Sequence, residues 1–153
     1  MIDPDDASFL HPGDMPGRIR NYCKKTGQQI PETKGEIVRV ALESIALKYR
    51  QVLESLEEVT GKHFTPVHII GGGTKNRLLN QFAADCTGRT VITGPIEATA
   101  IGNVLMQAIT LGHLGSLADA RSVVRASFTL ETYHPARQNL WDEAYERIQK
   151  VII

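Results

Sequence analysis

Apolar residues recur at three- and four-residue steps along the longest patterned stretch of the chain: Val38, Leu42, Ile45, Tyr49, Val52 and Leu56. That spacing lays one apolar stripe along an α-helix, and its simplest role is core packing. Thr33 and Glu36 have the spacing of a capping box at its start, and Gly61 closes it. The period then changes. Val67-His68-Ile69-Ile70 is a short β-branched run ended by Gly71-Gly72-Gly73, and it reads as a fully buried parallel strand. Helical spacing resumes at once with Leu78, Leu79, Phe82 and Ala83 and stops at Gly88. Thr90 to Thr93 is a second short strand, bounded by Gly94-Pro95.

Glu97 to Leu111 is alanine-rich and helical, with Ile101, Leu105, Ala108 and Ile109 on its apolar side. Ser116 and Asp119 open another helix carrying Leu117, Ala120, Val123 and Val124. Phe128 to Pro135 reads as extended, and Leu140 to Ile153 as a last amphipathic helix through Trp141, Ala144, Tyr145 and Ile148. At the other end, Asp14 caps a short helix that places Ile19, Tyr22 and Cys23 on one face. Met1 to Gly13 lacks periodicity and reads as an irregular arm.

The order helix, strand, helix, strand, helix, helical tail argues an α/β layer with parallel strands. Two strands are too few for a self-sufficient sheet. The chain is therefore expected to be part of a domain whose other strands lie upstream. An incomplete sheet would also expose an edge through which two copies could form a homodimer.

Composition narrows the class. Apolar residues make up 42% and charged residues 22%, and 17 basic residues balance 17 acidic ones. With no basic stripe, a nucleic-acid footprint is not supported. No apolar run approaches the length of a membrane span. The acidic start is no secretory signal, and Cys23 and Cys86 are read as separate buried thiols, which suits a cytoplasmic setting. The histidines are scattered and give no metal-ligand spacing.

The chemically informative stretch runs from His68 to Gln81. Three glycines at the carboxyl end of a strand, with a helix behind them, let a ligand approach bare main chain beside free N–H groups. In open α/β sheets ligands bind at this edge. A P-loop is excluded, because no lysine follows a second glycine in the required frame. The dinucleotide fingerprint fails too: Gly71 and Gly73 fit, but the third position is Asn76 and no acidic residue ends the second strand. Two readings of the glycines stay open, a tight turn without ligand and a nucleotide shelf. Asn76 likewise is either a helix N-cap or a side-chain amide facing a purine edge.

Gly71-Gly72-Gly73-Thr74-Lys75-Asn76-x-Leu78-Leu79-Asn80-Gln81-x-x-Ala84-Asp85 resembles the adenosine-binding signature of FGGY carbohydrate kinases. Gly94-Pro95-x-Glu97-Ala98-Thr99-Ala100-x-Gly102-Asn103 resembles the same family's second signature. Flanking stretches, among them Tyr22-Cys23-x-x-Thr26-Gly27-Gln28 and Ser127-Phe128-x-Leu130-Glu131-x-Tyr133, resemble the branch that phosphorylates L-rhamnulose. The resemblance implies an α/β chain forming part of an actin-like ATPase (ribonuclease H-like) domain. It implies that residues 1–153 belong to the C-terminal, nucleotide-binding domain and that the sugar-binding N-terminal domain lies outside them. It further implies ATP with Mg2+ as cofactors and L-rhamnulose or a related ketose as acceptor. Gly72 and Asn76 would contact the adenosine part, with Gly71 and Gly73 supplying permissive backbone around them.

No catalytic base is credible within the chain. Asp85 sits mid-helix as a polar contact, and Glu97 helps begin its helix. The isolated chain is expected to show no kinase turnover. The competing expectations are another sugar in the same family, such as xylulose or fuculose, and a non-catalytic nucleotide-binding module.

Overall fold

The computed structural model describes residues 1–150; the last three residues of the expected final helix lie outside them. Side-chain caps set most helix starts. Asp14 Oδ1 accepts from the Gly17 N–H at 3.0 Å at the head of α1 (Met15–Lys25). At α2 (Lys34–Thr60), Thr33 Oγ1 accepts from the Glu36 N–H while Glu36 Oε2 accepts from the Thr33 N–H, completing the capping box. Asn76 caps α3 (Arg77–Thr87), and Ser116 caps α5 (Leu117–Ser127). Between these last two, α4 (Ala98–Thr110) begins without a side-chain cap. The last helix, α6, spans Gln138–Gln149.

The strands are short. β1 (Val67–Ile69) pairs in parallel with β2 (Val91–Thr93), with α3 as the crossover. The stretch read as extended contributes β3 (Thr132–Tyr133), which pairs antiparallel with the other side of β2, Val91 opposite Tyr133. The mixed sheet has the order β1-β2-β3. Among the described residues β1 is an edge, and its half-exposed pattern corrects its reading as a fully buried strand. Val67 and Ile69 are half-buried on one face, whereas His68 and Ile70 on the other are exposed, the period-two alternation of a one-sided strand.

The main core joins α2, α3 and α6 through Ala46, Leu47, Leu79, Cys86, Trp141, Tyr145 and Ile148. Trp141 anchors α6 against Phe82, ring centroids 5.1 Å apart. Arg50 on α2 reaches Asp142 at 2.6 Å and lies 4.3 Å from the Tyr145 ring centroid, and Tyr145 donates to Glu54 Oε2 at 2.7 Å. A second cluster, Ile2, Ile19, Tyr22, Cys23 and Ile37, lies under α1. The opening arm is irregular but docked: Ile2 is buried and its N–H donates to the buried Ser44 Oγ at 2.8 Å. Cys23 and Cys86 are both free and buried.

The α2 stripe corrects a second expectation. Leu42 and Ile45 pack partly against the main core, but Val38, Tyr49, Val52 and Leu56 are exposed. The buried positions are Ile37, Ser44, Ala46 and Leu47. Small side chains at Ser44 and Ala46 admit neighbouring elements closely, so they decide which arc of the helix packs, and most of the bulkier stripe is left on the open side. On α4 the apolar side is as read, Ile101, Leu105, Ala108 and Ile109 being half-buried, but no residue of that helix is fully buried. Among the described residues no helix is long and apolar enough to cross a membrane.

Candidate functional site

The two parallel strands end side by side, Ile69 opposite Thr93, and each runs into a glycine-containing turn. The turns are bonded to each other. Gly94 N–H donates to the Ile69 carbonyl at 2.7 Å, and Gly71 N–H donates to the Pro95 carbonyl at 3.1 Å. Both glycine motifs therefore meet at the carboxyl edge of the parallel pair, the place where ligands bind in open α/β sheets.

The first turn does not enter α3 directly, as the spacing suggested. Gly71–Lys75 forms a 3-10 segment, and Asn76 then opens the α-helix. Thr74 folds back, its Oγ1 donating to the Gly71 carbonyl at 2.7 Å, which holds the chain in the tighter turn. The three glycines differ. Gly71 has φ +79°, a conformation that a side chain disfavours, so the backbone alone requires glycine there. Gly73 is exposed, and a β-carbon on it would make ordinary contact with Ile69 Cγ2 at 3.7 Å. Gly72 is exposed, has no positive φ, and among the described residues a β-carbon on it would meet nothing within 4 Å. Neither conformation nor packing among the described residues demands glycine at position 72.

Asn76 is half-buried and caps α3, its Oδ1 accepting from the Leu79 N–H at 3.1 Å. The cap reading holds, and it leaves the Nδ2 donors uninvolved in the cap. Gly71, Gly72, Gly73 and Asn76 thus form one ledge beside Gly94 and Pro95. The N-terminus of α3 behind it contributes a partial positive charge.

The surroundings answer other expectations. Asp85 is buried, its Oδ1 accepting from Gln81 Nε2 and from the Ala136 N–H, both at 2.8 Å, so it is the polar contact the sequence suggested. Glu97 occupies the N-cap position of α4 but makes no capping hydrogen bond. Arg77, on the first turn of α3, reaches Glu131 at 2.5 Å, and Tyr133 donates to the same carboxylate at 2.5 Å. The Tyr133 hydroxyl and the Arg77 guanidinium hold the Glu131 carboxyl below its usual range. Burial pushes the Cys86 thiol up to about 12.

Sequence reasoning singled out neither Thr74 nor Asn80, although both stand in the quoted motif. Asn80 is fully buried on α3, and its Nδ2 donates to the Thr74 carbonyl at 2.9 Å. A polar residue between Leu79 and Ala83, on the face that packs, was the available signal.

Comparison with known proteins fits this geometry. The family described as "FGGY family of carbohydrate kinases, C-terminal domain" matches residues 1–111. A rhamnulokinase of Bacteroides thetaiotaomicron is 50% identical over 145 residues, covering 95% of this chain and 30% of the relative. Rhamnulokinases of Enterobacter sp. and Oceanobacillus iheyensis are 42% and 41% identical, over 88% and 87% of this chain and 28% of each relative. The chain thus spans less than a third of the length of these curated relatives. Among solved structures, a xylulose kinase from Rhodospirillum rubrum superposes with a TM-score of 0.64 at 21% identity, over 82% of this chain and 25% of that one. A Plasmodium falciparum glycerol kinase with ADP gives 0.63 at 22% identity, over 82% of this chain and 27% of that one. These likenesses show the fold, α/β and part of an actin-like ATPase domain. From the turn joining its two glycine motifs to the match over residues 1–111, the chain belongs to the FGGY family of carbohydrate kinases, in its C-terminal domain.

Proposed function

We propose that this chain is the nucleotide-holding segment of an ATP-dependent sugar kinase that transfers the γ-phosphoryl group of ATP to L-rhamnulose, giving ADP and L-rhamnulose 1-phosphate. Gly71, Gly72, Gly73 and Asn76 receive the adenosine part. Residues 1–153 belong to the nucleotide-binding domain, and the sugar is held by an N-terminal domain outside this chain. Closure of the two domains expels water from the cleft between them. The magnesium ion accompanies the ATP phosphates and offsets their charge. Without the sugar-holding half, the isolated chain has no turnover.

The observation that carries this reading is Gly72, a glycine at the carboxyl edge of the sheet that faces open space and that neither φ nor packing requires. Absence of a side chain there is explained by a ligand lying against the main chain. The choice of L-rhamnulose is supported by relatives of 41–50% identity that bear the name rhamnulokinase. The xylulose kinase, at 21% identity, supports the shared fold and not the sugar.

The test uses the full-length kinase. Gly72→Val is expected to weaken ATP binding at least tenfold, about 1.4 kcal/mol, with little change in thermal midpoint. ATP affinity equal to wild type would reject the ledge. A panel of ketoses tests the sugar: lack of phosphorylation of L-rhamnulose alongside turnover of another ketose reassigns the substrate within the family.

A further inference from the structure

Asn80 lies on α3 with no solvent exposure, flanked by the buried Leu79 and Ala83. Its Nδ2 donates to the Thr74 carbonyl at 2.9 Å, and Thr74 Oγ1 donates to the Gly71 carbonyl at 2.7 Å. Two hydrogen bonds therefore run from the interior to the first glycine of the ledge. Its Oδ1, by contrast, has no hydrogen-bond partner among the described residues. An unpaired buried oxygen destabilises a fold, whereas an apolar side chain of similar size does not. The amide also faces the Tyr133 hydroxyl on β3, but the hydrogen bond that its donor completes is the one to Thr74. What that donor holds is the end of a run of three glycines, which has no side chains to fasten it and loses more backbone freedom on ordering than any other sequence.

We propose that Asn80 is a positioning residue for the nucleotide. Its bond to Thr74 keeps the Gly71–Lys75 segment in the shape that receives the adenosine part, while Asn80 itself touches no ligand. A ledge ordered in advance binds without a further ordering cost. This inference rests on the nucleotide reading of the glycine ledge.

In the full-length kinase, Asn80→Leu removes the donor and fills the space with apolar atoms, and Asn80→Asp keeps the shape but removes the Nδ2 donor. The measurements are ATP dissociation constant by calorimetry, KM for the sugar, and thermal midpoint. Loss of one hydrogen bond's worth of ordering weakens ATP binding about tenfold in both variants. The sugar KM stays unchanged, and Asn80→Leu keeps a midpoint close to wild type, because losing the unpaired Oδ1 offsets the Thr74 carbonyl left without its donor. Unchanged ATP binding in both variants overturns the proposal. So does weakening of ATP and sugar together in step with a lowered midpoint, or failure of both variants to fold, since Asn80 would then support the fold rather than the ledge. Gly72→Val in parallel separates the two levels. ATP binding that survives Gly72→Val defeats the ledge reading itself; binding lost in Gly72→Val but kept in both Asn80 variants defeats the role of Asn80 alone.

Discussion

The Gly94 amide donates to the Ile69 carbonyl at 2.7 Å, tying the turn after β2 to the last residue of β1. The approach is close: a β-carbon on Gly94 would stand 2.7 Å from Ile70 Cγ2. Ile70 is β-branched and stiff at χ1, so relief requires a disfavoured rotamer or a shift of the chain leading into Gly71. Gly94→Ala is expected to destabilise the full-length kinase by about 1–3 kcal/mol and to weaken ATP binding, because the Gly71 turn moves with Ile70. Thermal unfolding and ATP calorimetry check this; wild-type values in both would show that the turns are not coupled.

Asp85 gives a second prediction. Asp85→Ala removes the acceptor for Gln81 and leaves the Ala136 N–H unpaired, at a cost of about 1.5–3 kcal/mol. Asp85→Asn retains an oxygen in the same place and costs less. Urea unfolding measures both, and kcat per folded molecule stays at the wild-type level. A collapse of kcat in Asp85→Asn at unchanged stability would assign Asp85 to the chemistry.

Stability is expected to fall in alkali. Burial, and then the hydrogen bond to Glu54, push the Tyr145 hydroxyl up to about 12 from 10.0. Burial pushes the Cys86 thiol to about 12 from 9.0. Both groups keep their protons longer when folded, so their contributions are complete below the unfolded values and disappear as pH rises toward 12. Denaturant midpoints measured from pH 8 to 12 should decline, and Tyr145→Phe should flatten the part above pH 10. Cys86 should also resist iodoacetamide at neutral pH until the protein is unfolded.

The open side of α2 presents Val38, Tyr49, Val52 and Leu56. Apolar area of this kind drives association when left uncovered. The chain alone is expected to self-associate as its concentration rises, and Val52→Asp should shift it toward monomer. Light scattering during size-exclusion chromatography reads both, and a clean monomer at high concentration for the unsubstituted chain would contradict the expectation.

Helix limits were readable from the residues because capping is local: Asp14, Thr33 with Glu36, and Ser116 bond backbone N–H groups within three residues. The parallel strands followed from the alternation of elements, whereas the meeting of the Gly71 turn with Gly94 and Pro95 came only from their pairing in the fold. The sidedness of α2 did not follow, since periodicity gives the width of an apolar arc but not which part of it neighbours will cover. Small residues at Ser44 and Ala46 settled that through close packing.

Local chemistry along the chain was enough to specify the helices, the two parallel strands and the α/β layer. Three-dimensional contact was needed to pair Thr132–Tyr133 with β2, to set β1 at an edge and to bring the Asn80 amide onto Thr74. The division has a simple cause. A cap or a hydrophobic period acts over a few residues and is written in adjacent letters. A strand's partner, a buried face and the shape of a glycine turn depend on groups that only folding brings together.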